Sequence, residues 1–252
     1  LFDNTERFTG SFSIRADITD WLWASYRMGI DKYTSTSSNR IAAGGVVKQV
    51  WQNGMLSDNT RQYKYLSTNF MLNANKKFGD FDFNLMVGTS TDDTKVSSTY
   101  LKSFDLQVPD FFSYDNTPDT NRAFAHSKSR KRLVGVFGEL RADWNSTVFL
   151  TVTGRNDWTS TLPIENRSYF YPSVSGAVIF TNFMQDLDFV KEGILSYGKV
   201  RASWAKVGKD TGAYETNTAL WPVHTYLGGI VGLGNSWERG SPYLKPEMTK
   251  ST

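Results

Sequence analysis

Apolar and polar residues alternate along this chain in stretches of roughly ten, joined on one side by tight turns and on the other by long polar segments. The first stretch is the clearest. Phe8, Gly10, Phe12, Ile14, Ala16 and Ile18 share one face; Thr9, Ser11, Ser13, Arg15, Asp17 and Thr19 share the other. A period of two sustained over that length is a strand signal that a helix does not reproduce. A turn at Thr19-Asp20 leads to a second strand, with Leu22, Ala24, Tyr26, Met28 and Ile30 opposed to Ser25, Arg27 and Asp31.

A polar segment over residues 34–62 then reads as a loop. The third strand carries Leu66, Thr68, Phe70, Leu72 and Ala74 against Ser67, Asn69, Asn73 and Asn75. The short turn Lys76 to Asp80 leads to a fourth, with Phe81, Phe83, Leu85 and Val87 against Asp82, Asn84 and Gly88. The longest predicted loop covers residues 91–131. Strand five sets Val134, Val136, Leu140 and Ala142 against Glu139, Arg141 and Asp143, and turns at Asn145-Ser146. Strand six sets Val148, Leu150 and Val152 against Thr151, Thr153 and Arg155. Strand seven is placed at residues 171–181. The connection 182–193 is long enough for a helical turn. Strand eight is placed at 195–207, where a phase shift between Tyr197 and Val200 predicts a bulge at Gly198. Residues 208–245 read as a final loop, and 247–252 as the start of a ninth strand.

Bulky aromatics mark both ends of these strands. Trp21, Trp23, Phe78, Phe81, Trp144 and Phe183 lie by the turns; Tyr33, Tyr63, Tyr65, Trp158 and Tyr169-Phe170-Tyr171 lie at the far ends. Two aromatic bands a strand apart, with aliphatic residues between them, match the girdles of a transmembrane β-barrel. A soluble sandwich would concentrate aromatics in mid-strand. The fold class is therefore all-β, an antiparallel transmembrane barrel segment of about eight strands. A passive porin-like or adhesin-type barrel and a soluble carbohydrate-binding β-domain are the competing readings.

Composition changes this picture little. A mean hydropathy of -0.42 and the lack of any apolar run long enough for a transmembrane helix count against helical spans but not against a barrel, in which alternate residues meet lipid. The chain has 0 Cys, so disulfides and thiolate metal sites are excluded. A net charge of +3 lacks the basic bias of a nucleic-acid binder. The chain starts at Leu1 and stops where a strand begins, so it reads as an internal piece of a longer protein.

Enzyme chemistry is not visible, and no cofactor or metal site is predicted. The two histidines, His126 and His224, fall in predicted loops. Gly193 to Lys199 has P-loop spacing, but Val200 stands where Ser or Thr is needed. The run Gly228 to Gly234 lacks dinucleotide-binding spacing, and Asp92-Asp93 reads as solvated loop charge rather than a calcium site. Lys128, Arg130, Lys131 and Arg132 form the one dense basic cluster: either a solvated loop base or a contact to lipopolysaccharide phosphate, which suits the guanidinium fork. Arg15, Arg27, Asn69, Asn73, Arg141 and Arg155 are placed on the inner side of the wall, solvated or against a plug.

Three segments are more specific: Gly154-Arg155-Asn156-Asp157-Trp158-Thr159-Ser160-Thr161-Leu162-Pro163, Ser168-Tyr169-Phe170-Tyr171-Pro172-Ser173-Val174-Ser175, and Tyr197-Gly198-Lys199-Val200-Arg201-Ala202-Ser203-Trp204-Ala205-Lys206-Val207-Gly208. With Pro242-Tyr243-Leu244-Lys245-Pro246-Glu247-Met248-Thr249 they resemble, in order and spacing, the SusC/RagA-type TonB-dependent transporters of Bacteroidota outer membranes. The resemblance is strong from about Leu133 onward and looser before it. It implies that residues 1–252 are part of one barrel domain of about 22 strands, with the plug and remaining strands outside this sequence. It further implies active import of oligosaccharides or oligopeptides, a SusD-like surface lipoprotein as lid, and TonB acting through the plug. Arg155, Asp157, Trp158, Tyr169, Tyr171, Pro172, Gly198 and Arg201 are the motif residues. They read as structural, with Arg155 and Asp157 fixing the chain path at a strand end; substrate contacts are expected from long loops and plug.

Overall fold

A computed structural model describes residues 1–44, 51–184, 195–226, 230–235 and 239–252, without side chains for 221–226, 230–231 and 235. The described strands are β1 (Phe2–Thr19), β2 (Leu22–Ile41), β3 (Met55–Phe78), β4 (Phe81–Phe104), β5 (Ala123–Trp144), β6 (Val148–Thr159), β7 (Ser168–Ile179), β8 (Lys199–Lys209), β9 (Leu220–Tyr226), β10 (Ile230–Asn235) and β11 (Glu247–Ser251). Nine form one sheet in the order β1-β2-β3-β4-β5-β6-β7-β8-β11, while β9 and β10 make a separate hairpin. β1 and β11 are the terminal strands of that order. The predicted ninth strand is β11, paired antiparallel with β8 from Glu247↔Lys209 to Ser251↔Ala205. No described helix is long and apolar enough to cross a membrane.

The turns follow from their residues. Asn145 and Ser146 both adopt positive φ, at 49° and 51°, and Thr147 N donates to Trp144 O at 2.9 Å. That backbone twist matches the right-handed twist of the flanking strands. At the β3–β4 turn Gly79 has φ 58°, a conformation that costs glycine little.

The strands are longer than the alternation predicts. The segment 34–62 is not a loop throughout: β2 runs to Ile41 and β3 starts at Met55. The predicted loop 91–131 is likewise shortened, because β4 runs to Phe104 and β5 starts at Ala123. His126 therefore lies in β5 and His224 in β9, not in loops. The physical reason is that alternation is needed only where one face meets lipid. Where neither face is given to lipid, the backbone ladder continues without it. The bulge at Gly198 is not observed: β8 begins one residue later and pairs with β7 without a slip from Ile179↔Lys199 to Ser173↔Ala205. The phase break marks the start of the strand. The connection after β7 opens with a single 3-10 turn, Phe180–Phe183; residues 185–194, including Gly193, lie outside the described residues, as do Gly228 and Gly229.

Two compact units are distinguished. One comprises residues 1–11, 29–67 and 93–130, the parts of β1–β5 beside the long connections. In it, Met55, Leu56 and Leu106 are buried. Asn53 Nδ2 donates to Asp105 Oδ1 at 2.7 Å, and Asn116 Nδ2 donates to the carbonyls of Val108 and Phe111. The other comprises 12–28, 68–92 and 131–252, with Leu162 and Tyr169 buried. Apolar residues elsewhere remain exposed: Phe8 at 63%, Ile14 at 56%, Val136 at 51% and Leu140 at 42%. A wall one strand thick has no second layer to cover them, and lipid is the medium that suits such a face.

Candidate functional site: the polar face of the sheet

Register assigns the two faces. Gly135, Phe137, Glu139, Arg141 and Asp143 of β5 lie opposite Asp157, Arg155, Thr153, Thr151 and Phe149 of β6. Those β6 residues lie in turn opposite Tyr169, Tyr171, Ser173, Ser175 and Ala177 of β7. All share one side of the sheet, because cross-strand partners do. Three ion pairs on this side each run along a single strand. Arg15 bonds Asp17 at 2.7 Å, Arg141 bonds Glu139 at 2.6 Å, and Arg155 Nε donates to Asp157 Oδ1 at 2.8 Å.

The Arg155–Asp157 pair is the centre of a larger network. Arg155 Nη2 donates to Ser90 Oγ of β4 at 3.0 Å, and its guanidinium lies 5.4 Å from the Phe137 ring centre. Tyr171 Oη donates to Asp157 Oδ2. Asp157 is 3% exposed, so its charge depends on these partners. Gly135 makes room for them: a Cβ there would collide with Arg155 Nη2 and Asp157 Oδ1. Beside the pair opens a cavity of about 340 Å³, lined among others by Glu139, Thr153, Arg155 and Lys206.

Of the predicted motif residues, the structure brings Arg155, Asp157 and Tyr171 together. Arg155 lies within β6 rather than at its end. Tyr169 stacks on Tyr171 with ring centres 6.0 Å apart and covers Gly208, where a Cβ would meet its ring. Trp158 lies opposite Val134, and Pro172 opposite Gly154, on the other face of the sheet. Gly198 passes beneath the Phe180 ring and donates its N–H to Thr181 Oγ1 at 3.2 Å. Arg201 lies opposite Ala177, away from the Arg155 network. Ser90, Gly135 and Phe137 escaped sequence reasoning. Only Gly135 carried a signal, since an isolated glycine in a strand marks a close approach.

The basic cluster is divided by its strand. Arg130 bonds Asp93 through Nε at 3.0 Å and Nη2 at 2.5 Å. Lys131, on the opposite side of β5, bonds Asp210 at 2.6 Å. Arg132 N donates to Ser160 Oγ at 2.9 Å, and Lys128 is exposed. Asp210 also accepts from Thr159 and Thr161. Burial pushes its carboxyl up, but the bonds from Lys131 and Thr159 outweigh this and hold it below the usual carboxylate range.

The aromatic bands need one correction. By the turns, Trp21, Phe78, Phe81, Trp144 and Phe183 are exposed as expected. Trp23, however, lies under Arg15 on the polar face, 4.8 Å from the guanidinium. At the far ends, Trp158 and Phe170 are exposed on the apolar face. Tyr33 and Tyr63 stack 4.9 Å apart beside the Arg7–Asp31 pair on the polar face. Tyr65, two residues from Tyr63, shares that face, and Tyr169 and Tyr171 also face the polar side. The outer band facing lipid is thus thinner than the sequence suggests, because an aromatic at a strand end occurs on either face.

A second network anchors the connection between β4 and β5. Asp58, in the part of β3 beyond its apolar stretch, accepts from Ser38 Oγ at 2.5 Å, from Arg40 Nη2 at 2.9 Å and from Tyr114 Oη at 2.7 Å. Burial raises the Asp58 carboxyl, but the bonds from Ser38, Tyr114 and Arg40 prevail and lower it. Burial and the bond to Asp58 push the Tyr114 phenol above its ordinary value. Among the described residues, no three His, Asp or Glu side chains converge as a metal site would require.

Comparison with known proteins agrees with this geometry. The family model of TonB dependent receptor-like β-barrels matches residues 1–252. A TonB-dependent receptor, P26, of Formosa agariphila is 30% identical over 145 residues, covering 56% of this chain and 14% of that protein. The RagAB peptide transporter superposes with a TM-score of 0.80 at 15% identity, over 98% of this chain and 28% of that one. The RagAB peptide importer in its open-open state gives 0.72 at 19% identity, over 97% and 27%. The chain thus spans well under a third of the length of these relatives. It belongs to the TonB-dependent receptor family, as an outer-membrane β-barrel segment with the SusC/RagA fold.

Proposed function

We propose that this chain is part of the wall of an active importer, which carries nutrients through the outer membrane at the expense of energy delivered by TonB. The family match along the whole chain carries this reading. The polar face suits it: paired charges, hydroxyls and stacked tyrosines offer a wetted surface to a polar cargo or a plug. Cargo is oligosaccharide or oligopeptide, the latter favoured by the peptide-transporting RagAB neighbours. A SusD-like surface lipoprotein is the partner that the resemblance implies, docking over the long connections. The motif residues serve the wall: Arg155, Asp157 and Tyr171 hold β4, β6 and β7 together, and none is assigned to cargo.

The test uses the full-length protein in its own cells. Uptake of labelled oligopeptide and oligosaccharide pools is measured with and without TonB, and lipid-modified surface proteins are sought in the purified complex. Loss of uptake without TonB is expected. Uptake that persists unchanged points to a passive porin-like barrel instead.

A further inference from the structure

The apolar face of β2–β5 ends in a row of lysines. Counting one step from the stacked Tyr33–Tyr63 pair brings Lys32 of β2 opposite Lys64 of β3; the bond from Asn75 N to Trp21 O fixes the same register nearer the turn. Equal steps back along β3 and β4 from the Gly79–Asp80 turn bring Lys64 opposite Lys95. On β5, Arg130 and Lys128 continue the row, Arg130 being bound to Asp93. Lys32, Lys64, Lys95 and Lys128 are all exposed. Each lies on the side that carries the apolar stripe: Lys32 follows Ile30 and Lys64 precedes Leu66 on the same face.

Like charges directly opposite one another on neighbouring strands destabilise a sheet. Here three stand side by side, about 5 Å apart from strand to strand. Of the nearby carboxylates, Asp93 is engaged by Arg130 and Asp58 by Arg40. Glu6 of β1 is the remaining carboxylate on this side near Lys32. The row begins where the apolar stripe of β2 and β3 stops, the level at which headgroup phosphates meet the hydrocarbon. Long lysine stems suit that boundary, with methylenes along the apolar face and ammonium groups in the headgroups.

We infer that Lys32, Lys64 and Lys95, with Lys128 and Arg130 beside them, form a binding row for the phosphates of an outer-leaflet lipid, the lipopolysaccharide anchor. The inference rests on the outer-membrane placement of the barrel but not on import. It extends the basic cluster of β5 across three more strands and leaves out Lys131, which faces the other way.

The experiment uses the purified full-length protein in detergent, titrated with phosphorylated lipid A and with dephosphorylated lipid A and read by native mass spectrometry. The phosphorylated form is expected to bind at least tenfold more tightly. Each Lys→Gln change at Lys32, Lys64 or Lys95 is expected to weaken it about fivefold, and the triple change to abolish the preference. Lys76→Gln with Lys77→Gln, at the turn end of the same sheet, should leave it intact. If the triple variant fails to assemble, the single variants carry the test and Lys→Arg versions should retain binding. Equal binding of both lipids, equal loss in the Lys76/Lys77 control, or full displacement by millimolar inorganic phosphate overturns the lipid assignment. Failure of TonB-dependent uptake would leave this result untouched, so the two readings fail separately.

Discussion

Among the described residues two carboxylates are each shared by an arginine and a tyrosine, and the two trios do different work. Arg155, Asp157 and Tyr171 come from adjacent strands, with Asp157 almost wholly buried. Arg40, Asp58 and Tyr114 join two strands to a connection, and the Asp58 side chain keeps 24% of its exposure. The chemistry is the same: a guanidinium and a phenol share one carboxylate. What differs is what each bond holds. The first fixes one strand against its neighbours, so its loss is felt by the sheet. The second also ties β2 to β3, but its phenol pins a surface segment, so loss of the phenol's bond is felt by that segment.

The largest effect is expected at the first trio. Arg155→Ala leaves a buried carboxylate without its cation and should cost about 3–5 kcal/mol in urea unfolding of the assembled barrel. Replacing both partners by apolar residues of similar volume should restore most of that. If Arg155→Ala unfolded like the parent, the wall role of this trio would be lost. Gly135→Val comes next, at about 1–3 kcal/mol, because the added carbons displace the same ion pair. Heat-induced mobility shift on gels reads this, and Gly138→Val, on the opposite face where a Cβ would have ordinary contacts, is the matched control.

The smallest effect belongs to the second trio. Tyr114→Phe removes one hydrogen bond, about 0.5–1.5 kcal/mol, and should speed proteolysis within residues 105–122 while barrel melting stays fixed. A matching drop in barrel melting would erase the contrast between the trios. This anchor also has a pH window. Its carboxyl is lowered, so its contribution is present above the ordinary aspartate pKa and fades as pH falls through the lowered value. Its phenol is raised, so that contribution is present below the ordinary tyrosine pKa and fades as pH rises through the higher one. Protease resistance of this segment should therefore be flat through neutral pH and decline at both extremes.

What was legible in the sequence follows from the medium each residue meets. The stripe Phe8 to Ile18 announced β1 because lipid allows only apolar side chains on that side. Asn145-Ser146 announced its turn because a two-residue hairpin needs positive φ. The outer parts of β2 to β5 were illegible: no face there is reserved for lipid, so the side chains follow no period of two, some such as Met55 and Leu56 being buried, while the backbone ladder goes on. Tyr33 and Tyr63 were misplaced for a related reason, as an aromatic at the end of a strand suits lipid or lumen alike. The Arg155–Asp157 motif was visible as a pattern, but Ser90, sixty-five residues away from Arg155 in sequence, carried no local sign of its role.

β3 and β4 are each 24 residues long, whereas roughly ten residues suffice to cross the hydrocarbon. Selection therefore acts on a single strand in two regimes. Within the bilayer every second position is closed to charge, and drift is confined to aliphatic and aromatic exchange. Beyond it, substitutions meet only the demand that the backbone stay extended and that a few anchors such as Asp58 persist. The outer half of the same strand can thus take polar or charged substitutions that would be costly within the bilayer, and insertion of the barrel does not depend on them.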